Sequence, residues 1–387
     1  MALSETDQAR LLRAIELAEG SIGLSDPNPR VGCVMHDAAG QLAGEGFTQQ
    51  AGGPHAEVMA LRDAAQAGRS VAGGTAWVSL EPCAHHGRTP PCADALIAAG
   101  LARVVVATTD PFAQVAGRGI ERLRAAGVVV DLAGPGPAQR AVHELNIGFF
   151  SRVLRRRPWV RLKAAASLDG RTALPDGTSQ WITGEAARRD GHAWRRRAGA
   201  LLTGIGTVQQ DDPQLDVRLV TTHRQPLRVV VDSEFSMSPH ARLLQTPGRV
   251  LVVGAGDRPT RMAALRDAGA EVLLLPDAST ARRRVDLPAL VDRLSADGVN
   301  ELHLEAGAIL NAAMLGTGLV DELLLYIAPL LLGPGRDIAA LATLPSLATA
   351  TPWQFEDVQP VGADLRIRAR RIGAVGFLPT NGRVLTG

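Results

Sequence analysis

From residue 6 to 20 the apolar side chains of TDQARLLRAIELAEG recur at three- and four-residue intervals, the signature of one face of an amphipathic helix. Ser4-x-x-Asp7 stands at its start as a capping pattern. The hydrophobic period then switches between two and 3.6. It predicts strands at Val31–His36, Ala76–Leu80, Arg103–Thr108 and Val128–Leu132, with helices at 55–67, 92–99 and 117–126 between them. Strand and helix in strict alternation imply α/β packing with a largely parallel sheet. FFSRVLRRRP, Phe149 to Pro158, breaks the pattern as a basic, proline-ended connector. Further strands are expected at Trp159–Ala164, Ala200–Gly204, Leu227–Val231, Val250–Val253, Glu271–Leu275, Glu301–Leu304 and Glu322–Ile327. The division that follows is a first domain over 1–150, a second over 151–373, and a flexible tail at 374–387, where apolar pattern fades.

Composition narrows the function classes. At 387 residues, two cores are a better expectation than one. A net charge of +2 gives no reason to expect a nucleic-acid or membrane partner, and 3% aromatic residues argue against stacking platforms for single strands. The most apolar run, LVDELLLYIAPLLLG, is broken by Asp321, Glu322 and Pro329 and is too short to span a bilayer. The N-terminal pattern is that of a helix rather than a signal peptide, so a cytoplasmic setting is expected. There a disulfide is the poorest use for the three cysteines. Of 41 basic side chains a single one, Lys163, is lysine, and the rest are arginine. A compact, deprotonatable amine at that place differs in kind from a fixed guanidinium fork.

Two of the cysteines fall in EPCAHHGRTPPC, and GGPHAEVMALRDAAQAG opens a helical pattern upstream at His55-x-Glu57. Mid-helix, His55 and Glu57 would point to nearly opposite sides; at the first turn, with His55 at the cap, they can face one site. Cys92 also opens a helix and Cys83 follows a strand, and a thiol at a helix N-terminus is biased toward the thiolate that binds metal. One imidazole and two thiolates leave a fourth position for water, the composition of a catalytic zinc site, with Glu57 placed as proton shuttle. His-x-Glu followed by Pro-Cys…Cys is the zinc-deaminase signature, except that eight residues rather than two separate Cys83 from Cys92. The insert AHHGRTPP carries His85, His86, Arg88 and Thr89, a donor-rich loop suited to a phosphate. Other readings stay open on the residues alone: capping and unrelated core thiols, or a structural zinc with His85 or His86 as fourth ligand. Cys33 alternates like a core residue. Asn28 in DPNPRVG is either part of a rigid turn or an amide aimed at a substrate.

PNPRVGCV, PHAEVMAL, SLEPCAHHGRTPPC, DPFAQVAGRG and NIGFF, in this order, resemble the pyrimidine deaminases of riboflavin biosynthesis, in which the long cysteine spacing recurs. The resemblance implies a cytidine-deaminase-like three-layer α/β domain. It implies zinc held by His55, Cys83 and Cys92, Glu57 as proton shuttle, and Asn28, His85 and Arg88 toward substrate. The reaction it implies is hydrolytic loss of the C2 amine from a diaminopyrimidinone ribosyl phosphate.

In the second half, RPWVRLKAAASLDGRTALPDGTSQWITG reads as strand, turn and capped helix, with Lys163 at the strand's end. LLTGIGTVQQDDPQLDVR and ELHLEAGAILNAAML each run from a strand through glycine into a helix whose amides could hold a pyrophosphate. None matches G-x-G-x-x-G, and GAGDRP fails it too, so a Rossmann site is not indicated. These segments, with SQWITG, VVVDS and GLVDELLLYIAPLLLG, look like the reductase half of the bifunctional riboflavin enzyme, whose fold is similar to dihydrofolate reductase. The resemblance implies NADPH along Ala165, Trp181, Thr207, Asp211, Ser233, Gly307, Ala308, Ile309, Leu310, Asn311, Ala312 and Ala313. It implies substrate at Ser179, Arg195, Leu215, Arg218 and Glu305, and reduction of the opened ribosyl group to a ribityl chain. Lys163 and Asp211 are the candidates for proton handling. A homo-oligomer acting on a small ribosylaminopyrimidine phosphate is expected. The rivals are a nucleoside or nucleic-acid deaminase with a separate binding domain, and a non-enzymatic zinc-stabilised module.

Overall fold

A computed structural model describes residues 3–84, 90–112 and 116–379. The chain divides into two units, Met1–Arg156 together with Phe377–Gly387, and Arg157–Gly376.

The first unit runs α1 (Glu5–Ala18), β1 (Gly32–His36), β2 (Leu42–Phe47), α2 (Ala56–Gln66), β3 (Thr75–Val78), α3 (Cys92–Ala98), β4 (Arg103–Val106), α4 (Arg118–Ala125), β5 (Val129–Leu132), α5 (Pro137–Leu145) and α6 (Ile147–Arg155). Ser4 caps α1 by accepting the Asp7 amide at 3.1 Å. The sheet order is β2-β1-β3-β4-β5. Alternation along β3 and β4 sends Ala76, Val78, Val104 and Val106 to one face and Trp77 and Val105 to the other. The first set meets Ala60, Leu96 and Leu123 from α2, α3 and α4; the second meets Leu11, Ile15 and Val142 from α1 and α5. Three layers result, with Cys33 fully buried in the first core.

The sheet is less parallel than the pattern predicts. β3, β4 and β5 are parallel, but β1 pairs antiparallel with β3 and with β2, a strand the periodicity does not reveal. The reason lies in LAGEGF. A Cβ on Gly44 would come within 2.3 Å of the Ala60 carbonyl oxygen, and one on Gly46 within 2.6 Å of that of Ala56. Close approach of α2 requires glycine here, and glycine erases the strand's apolar signal. Of the expected tail, Phe377 and Leu378 pack on the first core, with the Arg155 guanidinium 4.2 Å from the Phe377 ring centroid. Residues 380–387 lie outside the described residues.

The second unit comprises β6 (Trp159–Ser167), β7 (Arg171–Ala173), α7 (Glu185–Arg197), β8 (Ala200–Gly204), α8 (Ile205–Asp211), β9 (Leu227–Val231), β10 (Val250–Gly254), α9 (Pro259–Asp267), β11 (Glu271–Leu274), α10 (Leu287–Ala296), β12 (Glu301–Leu304), α11 (Ala308–Gly316), β13 (Glu322–Ala328), β14 (Arg336–Asp337), β15 (Trp353–Val361) and β16 (Asp364–Arg371). The large sheet is ordered β11-β10-β9-β8-β12-β6-β13-β16-β15. It is parallel from β11 to β13, after which β16 and β15 join antiparallel. That hairpin is absent from the sequence prediction although Leu365, Ile367 and Ala369 alternate with Arg366, Arg368 and Arg370: the arginine run reads as a solvated face, and its partner strand holds Glu356, Asp357 and Pro360.

Those arginines face a buried ionic layer. Val160, Leu162 and Ala164 of β6 enter the apolar core, which leaves Arg161 on the other face. Fully buried Arg161 pairs with Glu322 at 2.5 Å and Glu301 at 2.9 Å, while Arg368 and Arg370 reach Glu322 at 3.0 and 2.9 Å. The Trp194 ring of α7 covers Arg161 at 4.4 Å. Burial alone would raise the Glu322 carboxyl, but these three arginines hold it well below its usual 4.5. Glu322→Ala leaves Arg161 with Glu301 alone and takes the carboxylate from Arg368 and Arg370, and it is expected to lower unfolding free energy by about 3 kcal/mol, measured by urea denaturation. Because the folded pKa is depressed, the native contribution is complete above the unfolded carboxyl's pKa. It is lost as pH falls toward the lower folded value, so the difference between variant and parent shrinks in acid.

Candidate functional site

The first site is assembled by two helix starts and one loop. His55 is the N-cap residue of α2, Glu57 lies in its first turn, and Cys92 is the first residue of α3. Cys83 follows β3, with its carbonyl accepting the Ala93 amide at 3.1 Å and its sulfur the Cys92 amide at 3.3 Å. The His55 Nδ1 atom lies 3.3 Å from Cys92 Sγ and 3.7 Å from Cys83 Sγ. All three donor atoms lie within 4.8 Å of one another. Tetrahedral zinc at ordinary bond lengths sets S and N donors about 3.5–3.8 Å apart, so this donor set fits such an ion. A hydrogen bond from the Cys92 side chain, and then one from His55, hold the Cys83 thiol down against burial, toward the thiolate that binds metal.

Glu57 is 3% exposed, and burial followed by the charge on Cys83 pushes its carboxyl up to about 7. His55, Glu57, Cys83 and Asn28 all line one cavity of about 480 Å³. Asn28 therefore contributes to a pocket wall. His85 and Arg88 lie outside the described residues.

The structure adds residues that motif reading gives no role. Glu81 is buried, and its carboxylate accepts the amides of Asp110, Gly117, Gly119 and Ile120 at 2.9–3.3 Å. It thereby folds the segment after β4 against the cysteine loop. Asp110, also on the cavity wall, is raised to about 7 by burial. Thr48, Phe112, Phe149 and Arg152 complete much of the remaining wall. Such wall residues come from loops and from α6, where no period marks a site; the Asp110-Pro111-Phe112 turn and the NIGFF run are their visible signals.

In the second unit Lys163 lies within β6, which continues to Ser167, rather than at its end. The strand runs on because β13 pairs with it through Ser167. Lys163 Nζ is 3.9 Å from Glu305 and 5.7 Å from the Tyr326 ring centroid. Arg195, in the last turn of α7, grips Glu305 with Nε at 2.5 Å and Nη2 at 2.8 Å, and donates to the Asp216 carbonyl at 2.9 Å. Burial alone would raise Glu305, but Arg195 and Lys163 hold it well below the carboxylate range. Burial lowers Lys163, with Glu305 opposing. His303, fully buried on the neighbouring β12, places Nε2 3.3 Å from Glu305. Arg218 pairs with the Asp216 carboxylate, and Leu215 beside it is buried with φ of 50°.

Two more helix starts adjoin one another. Gly204 precedes α8 and Gly307 precedes α11. A Cβ on Gly307 would stand 3.9 Å from Thr207 Oγ1, and one on Gly204 would stand 3.3 Å from Leu310. Ile309 and Trp181 are largely exposed, the latter under the Arg188 guanidinium at 4.5 Å. Asn311 turns inward, donating to the carbonyls of Ala306 and Ile338 at 3.1 and 2.8 Å. Ala308 accepts the Ala340 amide at 3.0 Å, and Ala165 pairs across the sheet with Tyr326. Ser233 accepts the amides of Ala255 and Gly256 through its carbonyl. Asp211 closes α8, is raised by burial, and has Arg336 as a charged neighbour. Ser179 is half-buried in the segment before α7, while Ala312 and Ala313 follow on α11.

Comparison with known proteins agrees with this division. Residues 4–108 match the cytidine and deoxycytidylate deaminase zinc-binding region, and residues 158–367 match the RibD C-terminal domain. The chain is 42% identical to the riboflavin biosynthesis protein RibD of Escherichia coli over 372 residues, covering 93% of this chain and 98% of that one. Its identity to RibD of Aquifex aeolicus is 37%, covering 95% and 99%. Among solved structures it resembles Acinetobacter baumannii RibD with a TM-score of 0.83 at 41% identity, covering 95% and 99%. A Thermotoga maritima diaminohydroxyphosphoribosylaminopyrimidine deaminase/5-amino-6-(5-phosphoribosylamino)uracil reductase also gives 0.83, at 31% identity, covering 94% and 98%. With both halves matched in order and nearly the full length aligned, the chain belongs to the RibD family of riboflavin-biosynthesis proteins, a deaminase joined to a reductase.

Proposed function

We propose that the chain catalyses two successive steps of riboflavin synthesis, with the first unit, Met1–Arg156, as the deaminase and the second, Arg157–Gly376, as the reductase. The first is hydrolytic deamination at C2 of 2,5-diamino-6-(5-phosphoribosylamino)pyrimidin-4(3H)-one. The second reduces the ribosyl group to give 5-amino-6-(5-phosphoribitylamino)uracil. The observation that carries the reading is the convergence of His55, Cys83 and Cys92 beside a buried Glu57 on one cavity.

In the deaminase His55, Cys83 and Cys92 hold zinc, which when bound supplies a Lewis acid that lowers the pKa of water to roughly 7. Glu57 moves the proton between the attacking water and the departing amine. Asn28 addresses the pyrimidine, and His85 and Arg88 its phosphate. In the reductase NADPH would supply the hydride, and the residues that would hold it are Thr207 and Asp211 of α8 and Gly307–Ala313 at the start of α11, with Ala165, Trp181 and Ser233. Arg195, Arg218, Ser179, Leu215 and Glu305 hold the substrate, and Lys163 and Asp211 handle protons at the opening sugar. The protein works in the cytoplasm as a homo-oligomer.

Sequential assay tests the order. Zinc-loaded protein is expected to release ammonia from the diaminopyrimidinone substrate, and none from cytidine, deoxycytidine or single-stranded DNA. NADPH oxidation is expected with the deaminated compound alone. Oxidation of NADPH by the undeaminated substrate in chelator-treated protein refutes that order.

A further inference from the structure

The deaminase cavity has an uneven charge distribution. Among the described residues on its wall are three carboxyl side chains, Glu57, Glu81 and Asp110, and one guanidinium, Arg152. Arg152 projects from α6, and its Nη2 donates to the Pro27 carbonyl at 3.0 Å, next to Asn28. Its guanidinium carbon lies 5.9 Å from the Phe149 ring centroid. Burial lowers its pKa while the charge of Asp26 opposes that, the state of a cation partly withdrawn from water and held in place. A guanidinium presents five N–H donors in a planar fork whose geometry matches phosphate oxygens as well as it matches a carboxylate.

A phosphomonoester in this cavity is repelled from the carboxyl-bearing wall and attracted to a positioned, partly desolvated cation. The geometry points to Arg152 as a phosphate-recognition residue of the deaminase, which favours the 5′-phosphorylated substrate over its dephosphorylated counterpart. This rests on the deaminase reading above, and names a contact that the zinc motif does not contain. The phosphate meets a helix-borne arginine at the pocket wall, while the reacting carbon faces Glu57.

The test is the ratio of deaminase kcat/KM with the phosphorylated ribosylaminopyrimidine to that with the same compound lacking phosphate. The full-length zinc-loaded protein, Arg152→Gln and Arg152→Lys are compared, and zinc content per chain checks that each variant keeps a folded site. The ratio is expected to fall about tenfold or more in Arg152→Gln, the size of one charge-assisted hydrogen bond, and to recover to within a few-fold in Arg152→Lys. An unchanged ratio overturns the proposal. If both substrates weaken together, Arg152 acts by fixing the Pro27–Asn28 turn; if neither weakens, it does not contact the substrate. Absence of ammonia release by the parent protein would instead overturn the deaminase reading itself.

Discussion

Glu57→Gln is expected to retain zinc and to lower deamination by about 10⁴-fold, the upper range for loss of a positioned acid–base group. The metal's donor set comes from the cap of α2, the start of α3 and the loop after β3, so the substitution removes no ligand atom. It is nearly isosteric at a side chain that is 3% exposed, so packing around it should hold. What is lost is the ability to accept a proton, which a carboxamide lacks. Metal analysis and ammonia release measured on the same preparation separate the two effects. Full activity with an amide at position 57 would remove Glu57 from the chemistry, and loss of zinc would make it a ligand or a structural support.

The cluster of His55, Cys83 and Cys92 is legible in the sequence because each of the two helices it draws on begins with its own local signature. Proline stops the preceding segment, an apolar period begins, and the cap or first residue is a histidine or cysteine. The strands of the first core are legible through the same apolar period. β2 is not, because the close approach of α2 demands glycine at 44 and 46. β16 is hidden by an arginine run that reads as a solvated face, β15 by the Glu356, Asp357 and Pro360 within it, and Glu81 by having amide partners 29 to 39 residues away. Periodicity reports burial of apolar faces, and it is silent where a strand turns a charged face inward or a carboxylate is buried among amides. The place of Lys163 inside β6 is obscured for a related reason: Ala164, Ala165 and Ala166 are small enough to blur alternation, although the strand continues through them.

Lys163→Ala is expected to lower NADPH oxidation with the deaminated substrate by about 10³-fold while deamination in the same protein continues. The ammonium is poised between Glu305 at 3.9 Å and the Tyr326 face, next to Arg195, and burial lowers its pKa. Lys163→Arg discriminates between the two ways such a group can act. A guanidinium keeps the charge but does not release a proton in a protein, so restored turnover means Lys163 serves as a fixed cation. If neither variant slows the reductase, a different residue handles the proton. This comparison also bears on the composition of the chain. Arginine suffices where a fork locks onto carboxylates, as Arg161 does between Glu301 and Glu322, whereas the one lysine stands beside a carboxylate already gripped by another group.

Phe377 and Leu378 bear on how the polypeptide could be divided. They settle on the hydrophobic interior to which α2 and α3 also contribute, although the whole of Arg157–Gly376 intervenes along the chain. Severing the backbone after Arg156 would therefore not liberate a self-sufficient amino-terminal half. It would uncover the apolar surface on which Phe377 and Leu378 rest, so a split of the two activities that carries those residues along is expected to keep that surface covered.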